Sequence, residues 1–222
     1  MMIPIWTQVD DYIEDRLIEA DGVLSEVLAA NRREGLPEID VTAAQGKLLQ
    51  LLVRMKGAKR ILEIGTLGAY STIWMARGLP QDGTAVSLEL DPRHADVARR
   101  NIALAGLEAK VEVRTGDARA SLEEMEKAGI EPFDFIFIDA DKPNNPDYLK
   151  SALRLSRRGT VIIGDNVVRS GDVVNRHSTD PRVHGVRTFF DLMAGDARLS
   201  ATAIQTVGRK GYDGFAMAIV QG

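Results

Sequence analysis

Hydrophobic positions change their period once along this chain. Between residues 7 and 33, Val9, Ile13, Leu17, Val23, Leu24 and Val27 recur at near-helical spacing with acidic residues between them, which predicts one amphipathic helix. Gly35 and Pro37 end it. Thr42 is the expected N-cap of a second helix, with Leu48, Leu49, Leu51, Leu52 and Met55 as its buried face and Gly57 as its stop. From residue 60 short apolar runs alternate with amphipathic stretches. RILEIG, AVSLEL, KVEVRTG, FDFIFID and GTVIIGD read as strands, and 70–79, 92–105, 118–128 and 147–156 as the helices between them. That alternation predicts a parallel sheet with helices on both faces. After a helix at 183–194, ATAIQTV and FAMAIV are joined only by GRKGYDG, too short for a helical crossover, so they should pair antiparallel. The expectation is an α/β fold with a seven-stranded, mostly parallel sheet closed by a C-terminal antiparallel hairpin.

Composition narrows this picture. A chain of 222 residues with 45% apolar content can bury one sizeable core, so residues 1–222 are expected to form a single domain, with helices over 1–57 preceding a core over 58–222. The absence of cysteine excludes disulfides, zinc–thiolate sites and thiol catalysis. A formal net charge of −4 argues against nucleic acid or an anionic membrane as partner. MMIPIWTQVDDYIEDRL lacks the basic and apolar regions of a signal peptide, and no stretch nears the roughly 20 apolar residues of a membrane helix. A soluble, cytoplasmic protein is expected.

Chemistry gathers at the strand ends. Glu63-Ile64-Gly65-Thr66-Leu67-Gly68-Ala69 follows the first core strand and opens a helix, as a nucleotide-binding loop does, although a plain tight turn is an equal alternative. Glu89 ends the next strand at the distance where a carboxylate accepts ribose hydroxyls. Glu63, Glu89, Gly116-Asp117, Asp139 and Asp165 all fall at carboxyl ends of strands, the edge where open α/β sheets bind ligands. If the strands ending in Asp139 and Asp165 are neighbours, Asp139, Asp165 and Asn166 form an all-oxygen site suited to Mg²⁺ or Ca²⁺. The plainer alternative is a strand-end acid and a turn cap. Lys142 is either a solvated loop lysine or, beside a bound cation that disfavours its ammonium form, a general base. Asp141 is expected to face solvent or pair with a base. His94, His177 and His184 show no ligand spacing and read as surface or packing residues.

VTAAQGKLL, RILEIGT, VSLELDP, GDA, FIFIDADK, GDNVVRSG and KGYDGFAMAI together resemble a family: the class I S-adenosylmethionine (SAM)-dependent O-methyltransferases, and within it the cation-dependent catechol and caffeoyl-CoA group in its small bacterial form. The resemblance implies a Rossmann-like fold. It implies that Asp139, Asp165 and Asn166 bind the metal, Mg²⁺ with Ca²⁺ or Mn²⁺ as alternatives, and that Lys142 is the base. It further implies that Glu89 holds the donor's ribose, that Val41, Glu63, Gly65, Thr66 and Ser71 surround its methionine end, that Asp117 and Ala118 lie by the adenine, and that Asp139 borders the donor as well. The implied acceptor is an aromatic vicinal diol and the implied assembly a homodimer with the N-terminal helices at its contact. Three positions depart from the family: Ala69 replaces a glycine, in a helical geometry that would tolerate it, and Asn145 and Arg169 replace aromatic residues near the acceptor.

Three rival readings remain. FIFIDADK and IIGDNVVRSGD mimic motifs of a haloacid dehalogenase-type phosphohydrolase, but about 25 residues between them leave no room for its lysine motif. A nicotinamide-dependent oxidoreductase would use the same loop and Glu89 while leaving the acidic trio without a role. A non-catalytic SAM-binding protein would keep the fold, though it has no need of Lys142.

Overall fold

The structure is a computed structural model and describes residues 4–222. In chain order the elements are α1 (Ile5–Leu17), α2 (Gly22–Arg33), α3 (Ala43–Lys56), β1 (Arg60–Ile64), α4 (Tyr70–Ala76), β2 (Thr84–Glu89), α5 (Pro92–Leu104), β3 (Val111–Thr115), α6 (Ala118–Lys127), β4 (Phe133–Ile138), α7 (Asn145–Arg154), β5 (Ser156–Asp165), α8 (Pro181–Gly195), β6 (Leu199–Gly208) and β7 (Gly211–Val220). Short 3₁₀ turns occupy Lys142–Asn144 and, broken by a kink at Ser170 and Gly171, Arg169–Val174. The sheet order is β3-β2-β1-β4-β5-β7-β6. The first five strands are parallel, and β7 pairs antiparallel with both β5 and β6. This is the expected Rossmann-like topology.

A parallel strand covered on both faces is apolar at every position, and β4 meets that condition. Phe135 and Phe137 join one cluster, with Ile61 of β1, Val27 of α2, Val53 of α3 and Ile73 of α4. Ile136 and Ile138 join the other, with Leu122 of α6, Leu149 of α7 and Phe189 of α8. Asp134 is the charged exception. Its carboxylate accepts from the Lys59 and Arg60 backbone N–H groups at 2.8 and 3.1 Å and from Arg157 Nη2 at 2.5 Å, which fixes the start of β1 against β4.

Three expectations need correction. Residues 7–33 form two helices, because the Asp21 side chain accepts from Leu24 N–H at 2.9 Å and starts α2 anew. No residue of α1 is buried, and its apolar stripe faces outward. On α3 only Leu49 and Val53 supply large buried apolar side chains, while Leu48, Leu51 and Met55 are exposed. In addition, β5 starts at Ser156, well before the GTVIIGD run. The ladder shifts between Phe133↔Ser156 and Phe135↔Val161, and Thr160 Oγ1 bridges the irregularity by donating to the Phe133 carbonyl at 2.7 Å. Among the described residues no helix is long and apolar enough to cross a membrane.

Candidate active site

The strand order reverses between β1 and β4, and such a switch point opens a crevice beyond the strand ends. A cavity of about 650 Å³ lies there. Gly65 follows β1 with φ 100°, and a Cβ on it would sit 2.2 Å from the Asp139 carbonyl oxygen, so only glycine fits. Leu67 and Ala69 have φ 51° and 68°. Ala69 therefore adopts a left-handed conformation, not the helical one expected, and carries the cost of a Cβ there. The loop is held in that shape by Glu89. Its Oε2 accepts from Leu67 N–H at 2.7 Å and Thr66 N–H at 3.2 Å, and its Oε1 accepts from Asp91 N–H at 3.0 Å. A carboxylate has about four lone-pair positions, so Glu89 keeps about one for a ligand hydroxyl on the cavity side.

Val41, Gly65, Thr66, Ser71, Glu89, Asp117, Ala118 and Asp139 all lie on the wall of this cavity. Glu63 does not. It sits beneath Ser71, nearly inaccessible, and accepts from Ser71 Oγ at 2.6 Å, Ser87 Oγ at 2.5 Å and the Thr72 hydroxyl. Burial pushes its carboxyl up to about 7 against the pull of those three hydroxyls. Asp117 caps α6 by accepting from Arg119 N–H at 2.8 Å, and its ion pair with the same arginine holds its carboxyl below the usual range.

The acidic tip assembles where β4 and β5 end side by side, Ile138 opposite Gly164. Asp139 and Asp165 each come one residue later. Consecutive residues of a strand point to opposite faces, so Asp165 and Asn166 could not converge if the strand continued. Asn166 ends it with φ 55°, a conformation asparagine tolerates. Asp165 is buried and accepts from Gln45 Nε2 of α3 at 2.6 Å and from Asn166 N–H at 2.8 Å. Burial, reinforced by the Asp139 charge, raises its carboxyl to about 7. Lys142 is also buried and donates from Nζ to Asp139 Oδ1 at 2.7 Å. A second cavity, of about 330 Å³, is lined by Asp139, Asp165 and Asn166 and by Ile39, Leu48, Lys210 and Phe215. Asp139, Asn166 and Val41 lie on both walls.

Among the described residues no three His, Cys, Asp or Glu side chains gather as a metal cluster. The set here is instead two carboxylates and one amide oxygen. It fits a hard divalent cation: the donors are all oxygen, and the buried Asp165 carboxyl is raised by burial and by the Asp139 charge beside it.

Other residues were less legible. Asp141 is exposed, as one of the two expectations had it, and it also accepts from Tyr148 OH and Asn144 Nδ2, each at 2.5 Å. His94 lies on the cavity wall, Nδ1 3.6 Å from Glu89 Oε1, rather than in ordinary packing. Asn145 is fully buried, its amide unpartnered, and is not on either wall, so its place near the acceptor is not borne out by position. Arg169 is on the larger wall and not on the smaller. Gln45, contributed from 120 residues away, had no signal beyond its place in VTAAQGKLL.

A family model described as "O-methyltransferase" matches residues 15–217. The chain belongs to the O-methyltransferase family. This O-methyltransferase is 49% identical to a catechol O-methyltransferase of Niastella koreensis, over 98% of each chain. Its fold superposes with a TM-score of 0.97 on the O-methyltransferase of Bacillus cereus solved in complex with SAH, 60% identical over 99% of this chain and 100% of that one. TomG of Streptomyces achromogenes, an O-methyltransferase involved in tomaymycin synthesis and solved in complex with SAM, superposes at 0.96 with 46% identity over the full length of both. The chain is thus a methyl-transferring enzyme, and the phosphohydrolase and oxidoreductase readings are set aside.

Proposed function

We propose that this O-methyltransferase moves the methyl group of SAM to one hydroxyl of an aromatic vicinal diol, with a divalent cation, Mg²⁺ first, and works as a cytoplasmic homodimer. The observation that carries the reading is the convergence of Asp139, Asp165, Asn166 and Lys142 on the boundary between the two cavities. The larger cavity has the residues for the donor: Glu89 for the ribose, Gly65, Thr66, Ser71 and Val41 for the methionine end, Asp117 and Ala118 for the adenine, with Glu63 acting through Ser71. The smaller one takes the acceptor. The catechol O-methyltransferase relative supports a phenolic acceptor, and the SAH and SAM complexes support SAM as donor.

Asp139, Asp165 and Asn166 would hold the cation, which when bound lowers the pKa of a chelated hydroxyl and favours two adjacent hydroxyls over one. Lys142 accepts that hydroxyl's proton. The freed oxygen pair forms the new O–C bond in line with the leaving sulfur, and the S–C electrons return to sulfur, which becomes neutral. The walls align the two reactants, and such alignment is worth roughly 7–11 kcal/mol of the barrier. A second copy would cover the outward stripe of α1 (Ile5, Val9, Tyr12, Leu17) and the neighbouring Leu51 and Met55 of α3.

Methyl transfer to a panel of diols, each with and without chelator, tests the proposal. Turnover of vicinal diols that stops in excess EDTA and returns with Mg²⁺ is expected. Full turnover in EDTA would remove the cation, and donor binding without transfer to any diol would leave a non-catalytic protein.

A further inference from the structure

Thr42-Ala43-Ala44-Gln45 has the local pattern of a capping box, in which the side chain at the third helical position turns back to the N-cap N–H. Half of that box forms: Thr42 Oγ1 accepts from Gln45 N–H at 3.1 Å. The Gln45 side chain does not turn back. Its Nε2 donates instead to Asp165 Oδ2 at 2.6 Å, across 120 residues of chain. The helix start thus gives up one of its two capping bonds, and a long amide gives up rotamer freedom, to reach one carboxylate.

That carboxylate is an expected cation ligand, and of the three it is the one held from outside the β4–β5 edge. Asp139 is held by Lys142, three residues on, and Asn166 is set by its own left-handed turn. Asp165 Oδ1 accepts from Asn166 N–H at 2.8 Å, and Gln45 secures Oδ2. An unrestrained aspartate carboxylate turns broadly about its last torsion; a donor on each oxygen stops that rotation and still leaves about one lone pair apiece. Gln45 is itself firmly seated. Its neighbour Gly46 packs so closely on α4 that a Cβ there would overlap the Trp74 ring, which fixes the start of α3 against the core. Gln45 lies on the wall of the smaller cavity and not of the larger, so donor binding should not depend on it.

We infer that Gln45 is a positioning residue for the cation: by fixing the Asp165 carboxylate it sets the affinity for Mg²⁺, without touching the methyl donor. The inference rests on the cation reading and adds to it a residue from α3.

The test is calorimetric titration of Mg²⁺ into the full chain saturated with SAH. Gln45→Met keeps an unbranched side chain of similar length and removes the donor. It should bind Mg²⁺ about 10–100-fold more weakly than wild type, the usual cost of losing a hydrogen bond behind a metal ligand, with SAH affinity within about threefold. In turnover the Mg²⁺ concentration needed for half activity should rise by the same factor, and excess Mg²⁺ should restore the rate. Gln45→Leu should repeat the loss with a second apolar side chain. Thr42→Ala weakens the helix start but keeps the amide; it should lower Tm and leave Mg²⁺ affinity within about threefold. Equal Mg²⁺ affinity in wild type and Gln45→Met overturns the inference while leaving the cation reading in place. So does a loss of Mg²⁺ affinity matched by Thr42→Ala, or one matched by an equal loss of SAH affinity, since either assigns Gln45 to the structure of α3. A wild type that binds no Mg²⁺ overturns the cation reading and this inference with it.

Discussion

Lys142 Nζ and Asp139 Oδ1 lie 2.7 Å apart with both groups largely withdrawn from solvent. That contact places Nζ beside the oxygen cluster where a substrate hydroxyl would be held. Lys142→Ala should therefore lower kcat at neutral pH by about 10²–10⁴-fold, the span of general-base contributions, with a smaller change in SAM affinity. Stopped-flow turnover beside calorimetric SAM titration checks this, and an unaltered pH–rate profile would exclude Lys142 as the base. Glu63 yields a second expectation. Its carboxyl is raised from 4.5 to about 7 in the fold, so the folded state holds a proton there that the unfolded chain has released. Its stabilising contribution is present below about pH 4.5 and is lost as pH rises toward 7. Glu63→Gln should flatten that fall by on the order of 2–3 kcal/mol, read from urea midpoints across this window. At this scale the acids were legible because each ends an apolar strand. Gln45 and the support beneath Ser71 were not, since hydrogen bonds across the fold leave no local pattern. Asn145 misled because a position three residues past Lys142 need not face the same cavity once the 3₁₀ turn through Pro143 redirects the chain.

The loop from Gly65 to Ala69 joins β1 to α4 through a backbone that two of its residues adopt at a cost. A left-handed non-glycine residue loses roughly 1–2 kcal/mol, and glycine gives back about 0.5–1 through the unfolded chain. Ala69→Gly should thus stabilise the protein by about 0.5–1 kcal/mol, seen as a small rise in Tm by calorimetry; a fall would show that the alanine methyl packs better than its backbone suffers. Elements were legible where period and caps agreed, as in α5, with Asp91 and Pro92 at its start, or in the antiparallel tail. They were misjudged where periodicity stood alone. The spacing over 7–33 continued smoothly through Ile18 to Ala20, and only Asp21, followed by Gly22, marked the break. The bulge that lengthens β5 depends on Thr160 meeting a carbonyl of β4, which no single segment specifies.

At the scale of the molecule, the outward apolar stripe of α1 is the feature left without a partner. Its attachment is polar: Asp10 accepts from Arg209 N–H at 2.6 Å and Glu14 from Arg209 Nη2 at 3.0 Å, at the tip of the β6–β7 hairpin. Exposed apolar faces of this kind mark association sites. Light scattering should find twice the mass of one chain, and the double variant Tyr12→Glu, Met55→Glu should shift it toward one while retaining the far-UV spectrum. A wild type running at single mass would end the homodimer proposal. The same polar attachment links α1 to Lys210, whose ammonium donates to the Asp40 carbonyl above the smaller cavity. The close approach of Gly65 to Asp139 works at the opposite extreme of rigidity. With no room for a single methyl between the Gly65 and Asp139 backbones, the proposed donor and cation sites would be spaced by two adjacent core strands, and the distance a carbon travels would be fixed by the sheet rather than by the rim.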